Sequence, residues 1–404
     1  MGRIVGCLVW LVLSLIPATA AADPEAKLIF FTEDGTESGA PLLPGFPLHS
    51  VWSGLGQSDD GRIFVAVSDH EEVGGNVAIF AMDPDEDRFR FLTDLKSVSE
   101  AAGNWKEGEG QYKVHTFLQQ ASDGLIYFAT MPASDPRKQR GSHLYTLDPA
   151  TETIRDISTD LPATLTRQGV LAPNRGVLVE ALGIKGMSLN PSFEDMIYVM
   201  THDIGFVFRL DLRNGQYHAV GFSSRVSYVM HTDAEGDLYF LGSDPEATSQ
   251  ALLQFDAQSG ETSVLIPNIP MDEEIGMIVP TANPDVVMVL MSKSKEVFPI
   301  NTKTEKRLRG GTSCGKNWWK LFNMAVSPDG RHLYFVSNNN NHPMIWRAPT
   351  GGGTCQQFLD VKALLGTRNL AFGGQNIWVG DSFFTPVWTH QGDNDLAILK
   401  VTVK

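Results

Sequence analysis

Seven times along the chain a cluster of turn-forming residues is followed by a short β-branched or aromatic run. The copies begin Asp60-Gly-Arg-Ile-Phe-Val, Asp123-Gly-Leu-Ile-Tyr-Phe, Glu194-Asp-Met-Ile-Tyr-Val and Glu235-Gly-Asp-Leu-Tyr-Phe. They continue with Pro284-Asp-Val-Val-Met-Val, Asp329-Gly-Arg-His-Leu-Tyr-Phe and Gly374-Gln-Asn-Ile-Trp-Val. Asp-Gly favours a tight turn with positive φ, and a run that alternates or is wholly apolar reads as a buried strand. Each copy is followed by a second apolar run that usually ends in a turn, such as Val77-Ala-Ile-Phe-Ala-Met-Asp-Pro or His143-Leu-Tyr-Thr-Leu-Asp-Pro. The anchors Phe64, Tyr127, Tyr198, Tyr239, Met288, Tyr334 and Trp378 stand 63, 71, 41, 49, 46 and 44 residues apart. A period in the forties matches four strands per unit, and the two longer intervals hold the insertions Lys96–Gly110 and Asp160–Arg175. Long helical periodicity is missing; Lys96–Ala102 is expected to form one short helix.

Four-stranded units of this size bury little alone and must stack against one another. Stacking them radially leaves only short edges. The pattern therefore predicts an all-β fold: a seven-bladed β-propeller of four-stranded blades, forming one domain over residues 23–404. The last blade shows an inner strand near Asn369–Phe372, a second at Ile377–Val379 and a third at Leu396–Val403. Its missing outer strand is available at Ala26-Lys-Leu-Ile-Phe-Phe-Thr, so an N-terminal strand is expected to complete that blade and latch the ring.

Ahead of that strand, Arg3, the apolar run Ile4–Ile16 and the small residues Ala18-Thr-Ala-Ala-Ala read as a signal peptide over residues 1–22. Export to the periplasm or beyond follows, and no other stretch is long and apolar enough to span a membrane. Cys7 leaves with the leader, which keeps Cys314 and Cys355. An exported pair can form a disulfide. An ideal blade, however, would put Cys314 on one rim and Cys355 on the other, beyond the ~7 Å a bridge tolerates unless a loop is displaced. Both the bridge and a pair of buried thiols stay open. With 32 Lys and Arg against 47 Asp and Glu in 404 residues, the formal charge of -15 argues against nucleic acid, whose phosphates need clustered cations.

Ser327-Pro-Asp-Gly-Arg-His-Leu-Tyr-Phe-Val-Ser resembles the strand–turn–strand signature of TolB-like and other WD40-like propellers. The passage Lys113-Val-His-Thr, Asp123-Gly-Leu-Ile-Tyr-Phe-Ala-Thr and Gly141-Ser-His-Leu-Tyr-Thr-Leu-Asp-Pro is similar to one blade of secreted propeller polysaccharide lyases.

In a propeller, the loops from second to third strands and those between blades share one face around the axis. That loop face is expected to gather Lys113, His202, His231, Trp318, Trp319, Lys320, Asn339 and Arg368, with Asp69-His70, Lys185 and Asp381–Pro386 nearby. Indole faces suit sugar rings, and Arg or Lys suits carboxylates or sulfates. The leading expectation is noncatalytic binding of a carbohydrate, another small molecule or a protein partner. The lyase resemblance implies the alternative: β-elimination in uronic-acid glycans. There His115 or His143 would move a proton, Arg209 or Arg225 would neutralise the uronate carboxylate, and Tyr228 would protonate the leaving oxygen. Strand-end and strand-interior hydrogen bonding is the plainer role for His115 and His143. No metal set or cofactor motif is found; Asp83–Asp87 lacks the Gly and terminal Glu of a calcium loop.

Overall fold

The computed structural model describes residues 24–403 apart from Glu72 and residues 133–139, 191–195, 224–228, 244–247, 315–320, 338–342, 366–369 and 390–395. The expected leader, residues 1–22, lies outside the described residues. The chain forms a β-propeller in which each repeat supplies a sheet ordered from an inner strand outward. The repeat unit folds as its sequence dictates. Gly61, Gly124, Gly236 and Gly330 take positive φ in the turns between first and second strands. Beside them, Asp123 accepts the Tyr127 hydroxyl at 2.7 Å and Asp233 accepts that of Tyr239 at 3.0 Å. The turn carboxylate thus satisfies the polar end of the buried anchor tyrosine, which explains why the two residue types recur together.

Second strands are buried on both faces, as Ile63–Ser68 illustrates. Ile63, Val65 and Val67 pack toward Ile29, Phe384 and Ile398 of the last blade, while Phe64 and Ala66 pack toward Val114, Ile126 and Phe128 of the next. Period-two alternation therefore serves two interfaces at once, and the core is a series of apolar layers between blades. Ring closure follows expectation. Glu25–Phe30 pairs antiparallel with Ala397–Thr402, in register from Glu25 opposite Thr402 to Phe30 opposite Ala397. Lys400 adds an ion pair to Asp87 at 2.7 Å.

Among the described residues the sheets number eight, not the seven expected. The additional one is built from Gly141–Ser142, Ala163–Leu165, Leu171–Pro173 and Val179–Glu180, largely from the stretch read as an insertion. Its strands are two or three residues long and include a parallel pair, Leu165 with Val179, so no periodicity announces them. The last blade also differs in detail. Leu370–Phe372 and Ile377–Val379 both pair with Ser382–Thr389, so they are two halves of a broken inner strand. Ser382–Thr389 is the true second strand, and most of Asp381–Pro386 is not rim loop. The break falls at Gly373-Gly374, where a Cβ on Gly374 would stand 1.8 Å from the Trp52 carbonyl oxygen. Leu95–Ala101 forms the expected short helix, capped by Asp94, which accepts the Ser97 amide at 2.9 Å.

Cys314 and Cys355 form a disulfide with Cα atoms 5.2 Å apart. The ideal-blade separation fails because the outer strand of one blade breaks into Lys306–Arg307 and Thr312–Ser313 around Gly310 and Gly311. The loop carrying Cys355 then lies against it, with Thr312 Oγ1 donating to the Gly353 carbonyl at 2.9 Å.

Candidate functional site

Strand direction alternates within a blade, so the propeller has a loop face and a turn face. On the loop face three chain entrances converge. The segment 49–54 leads into the first inner strand, held by His49 N donating to Ser68 O at 2.9 Å. Gln111–Val114 opens the next blade and carries Lys113, with His115 just beyond it. Ile184–Leu189 follows with Lys185. The loops after second strands complete the group with His70 and Asp203, both non-glycine residues at positive φ (63° and 65°). That conformation turns each side chain out of the strand direction at equivalent places in two blades.

These residues make a contiguous aromatic and cationic mouth. The His49 and His70 rings stack with centroids 4.6 Å apart, and Trp52 lies 5.9 Å from His70, 5.4 Å from His115 and 6.1 Å from Trp388. His115 is 6.4 Å from His202. Lys113 Nζ stands 4.8 Å from the Trp52 ring centre and 4.6 Å from that of Tyr112. Burial, reinforced by Lys113 and His202, pushes the His115 pKa down to about 3; burial with Lys113 and His49 pushes His70 to about 4. Both rings are therefore neutral at physiological pH, a state in which an imidazole has a lone pair for a hydrogen bond. Lys185 is 1% exposed, and burial draws its pKa down to about 8 against the opposing pull of Asp203 and Glu274.

Of the residues singled out from sequence, Lys113, His115 and His202 come together here. His202 Nδ1 lies 2.6 Å from Asp203 Oδ1, without the alignment of a hydrogen bond. His231 does not join them. It lines a cavity with Gln119, Ser188 and Asn190 toward the turn face, and burial lowers its pKa to about 4. In its strand, Met230–Thr232, His231 stands opposite the anchor Tyr239.

His143 is drawn into the interior instead of the rim. It is 0% exposed, with Nδ1 2.7 Å from Asp156 Oδ2 and Nε2 2.8 Å from Glu109 Oε1. Burial opposes charge on the ring, but the two carboxylates overcome it and raise the His143 pKa, while His143, Ser99 and Asn104 hold Asp156 down to about 2. Both nitrogens are committed to donating, so this ring has no lone pair to offer a substrate. Arg209 also lies elsewhere, over the Phe255 ring at 6.0 Å and donating to the Ala257 carbonyl at 3.2 Å. Arg225, Tyr228, Trp318, Trp319, Lys320, Asn339 and Arg368 lie outside the described residues.

Sequence reasoning missed His49, Trp52, Tyr112 and Trp388. Aligning blade entrances would have found Trp52, because Val51-Trp-Ser precedes the first inner strand as Lys113-Val-His opens the second. Among the described residues no group of His, Cys, Asp or Glu has the arrangement to hold a metal ion. No described helix is long and apolar enough to cross a membrane.

No family model matches the chain, and no curated protein matches it. Solved structures do. The chain is similar to the WD40 repeats of RRP9, with a TM-score of 0.54 and 12% identity over 95% of this chain and 100% of that one. The β-propeller domain of Cps50 (Swd1) from Myceliophteria thermophila gives 0.53 and 12% over 89% and 99%. The extracellular domain of a putative hybrid two-component system from B. thetaiotaomicron gives 0.54 and 9%, over 94% of this chain and 40% of that one. At such identities the shared property is the β-propeller fold alone. Nothing in these comparisons supports the lyase resemblance.

Proposed function

We propose that the protein is an exported binding propeller whose loop face holds an anionic ligand, a saccharide bearing carboxylate or sulfate groups. The observation that carries this reading is Lys113, whose ammonium lies between the faces of Trp52 and Tyr112 beside the neutral ring of His115. A cation presented among flat aromatic surfaces matches a ligand with an acidic group on an apolar ring face. Trp52 Nε1 is buried with no hydrogen-bond partner among the described residues, a further polar group suited to a ligand oxygen. Export rests on the signal-like leader and the Cys314–Cys355 bridge, a bond kept in oxidising compartments.

The test is titration of residues 23–404 with uronate and sulfated oligosaccharides by calorimetry. Lys113→Gln and Trp52→Ala should each weaken binding about tenfold or more. Equal affinity in both variants, or capture of a protein partner with no glycan binding, sinks the reading. A second reading, β-elimination in the same glycans, is favoured by one feature: Lys113 sets a cation beside the neutral His115 ring, although a pKa of about 3 makes that ring a weak base. Incubating each bound glycan decides it. Unsaturated product absorbing in the near ultraviolet, lost in His115→Ala, marks a lyase; unchanged glycan leaves a binding protein.

A further inference from the structure

The turn face carries a different opening. A cavity of about 760 Å3 is lined by Gln57, Asp59, Leu118, Gln119, Val326 and Trp378, among others. A lobe of about 250 Å3 continues from it past Gln119, Gln120 and Leu189 to Asp123 and His231. The larger volume falls within the roughly 300–1,000 Å3 of small-molecule sites. Every carboxylate in a hairpin turn has a structural duty to consider first. Asp60, Asp123, Asp233 and Asp329 each accept a backbone amide two or more residues on, the bond that shapes the turn. Asp59 does not. Its backbone amide donates to Gln120 Oε1 at 2.6 Å, but its carboxylate is exposed and takes no hydrogen bond or ion pair among the described residues. The exposed amide of Gln57 is equally unengaged among them.

The remaining amides are spoken for, which fixes what the walls can do. Gln119 Nε2 donates to Met187 O at 2.8 Å, and Gln120 Nε2 to Gly124 O at 2.8 Å. They form a rigid rim, with the half-buried Trp378 ring held against Tyr334 and Phe383 at 5.0 and 5.4 Å. No Lys or Arg lines either lobe among the described residues, and burial keeps His231 uncharged at neutral pH. An acidic ligand would meet Asp59 and Asp123 with nothing to offset them. A free carboxylate, a free amide, an aromatic ring and aliphatic walls together match vicinal hydroxyls and the C–H face of an uncharged sugar.

We infer that the turn-face mouth of the channel is a second binding site, for a neutral saccharide. Saturation-transfer NMR on residues 23–404 with neutral tetrasaccharides of glucose, xylose and mannose tests it, with tetragalacturonate and choline as controls. Transfer to at least one neutral sugar is expected, weakened about tenfold by Asp59→Asn through loss of a charge-assisted hydrogen bond. Trp378→Phe should also weaken it. Because Trp378 packs on Tyr334, the exposed Asp59→Asn and Gln57→Ala variants carry the test should that variant misfold. Lys113→Gln should leave this binding unchanged, so the site stands or falls apart from the loop-face reading. Transfer to no neutral sugar, transfer to choline or tetragalacturonate alone, binding that survives both Asp59→Asn and Gln57→Ala, or binding abolished by Lys113→Gln would each overturn it.

Discussion

His115 and His143 stand in the same blade, both buried, 9% and 0% exposed, and they titrate in opposite directions. Burial alone lowers a histidine pKa, and His115 follows that rule to about 3 because its neighbours are Lys113, other imidazoles and Lys185. His143 departs from it because Asp156 and Glu109 close on its two nitrogens, with Arg140 Nη1 2.9 Å from Glu109 completing the charge pattern. The lesson is that the partner set, not depth, decides whether a buried histidine stays neutral or carries charge. His143 joins the helix-bearing segment to its blade: Ser99 Oγ and Asn104 Nδ2 donate to Asp156 Oδ2 at 2.7 and 2.8 Å.

The largest test of this contrast is stability. Removing the histidine cation from a closed buried network leaves Asp156 without a counter-charge and Glu109 with Arg140 alone, so His143→Ala should cost about 3–5 kcal/mol in urea unfolding. His115→Gln should cost within about 1 kcal/mol. Comparable losses in the two variants would erase the distinction. Next in size is Arg140→Met, which strips one of the two cations from Glu109 and should cost about 1–3 kcal/mol, read by the same midpoint shift.

The pH dependence sharpens the contrast because the two rings enter with opposite signs. His143 is raised in the fold, so its contribution is complete below the unfolded value of 6.5 and is lost as pH rises through the folded value. Asp156 is depressed to about 2, so its contribution is complete above 3.8 and is lost as pH falls toward 2. His115 is depressed to about 3, so its contribution is complete above 6.5 and drains away between 6.5 and about 3. In thermal melts from pH 3 to 9, His143→Gln should therefore lose most of its deficit on the alkaline side. His115→Gln should become relatively more stable than the parent as pH falls below 6.5. A parallel displacement of all three curves would contradict these assignments.

The sequence carried the repeat, the closing strand and part of this site, for a reason visible in particular residues. Asp123 and Tyr127 recur with their equivalents because turn and anchor satisfy each other locally, and local chemistry leaves a local pattern. Glu25–Phe30 was legible as a strand in search of a partner. The eighth sheet was not legible, since Gly141–Ser142 and Val179–Glu180 are too short to alternate. His143 looked like His115 on paper because Glu109 and Asp156, which decide its charge, lie 34 and 13 residues away. Trp52 escaped notice because its segment makes a bridge, Ser50 with Ser68, in place of a full strand.

The smallest expected effect is the most discriminating for the loop face. Lys113 is half-buried and stacked on Trp52 and Tyr112, and after burial its charge is the largest electrostatic influence on both His115 and His70. Lys113→Met keeps an unbranched apolar stem over the two rings and removes only the ammonium. Stability should change by less than about 0.5 kcal/mol, since the stem packing survives. The His115 and His70 titrations, followed by the ring proton shifts in NMR, should both move upward, because a positive neighbour that disfavours protonation is gone. The His143 signal should not move, as Glu109 and Asp156, in contact with its two ring nitrogens, govern it. If His115 stays where it was, burial alone accounts for its neutrality, and Lys113 is then free of the histidines and answers only to what binds across the aromatic mouth.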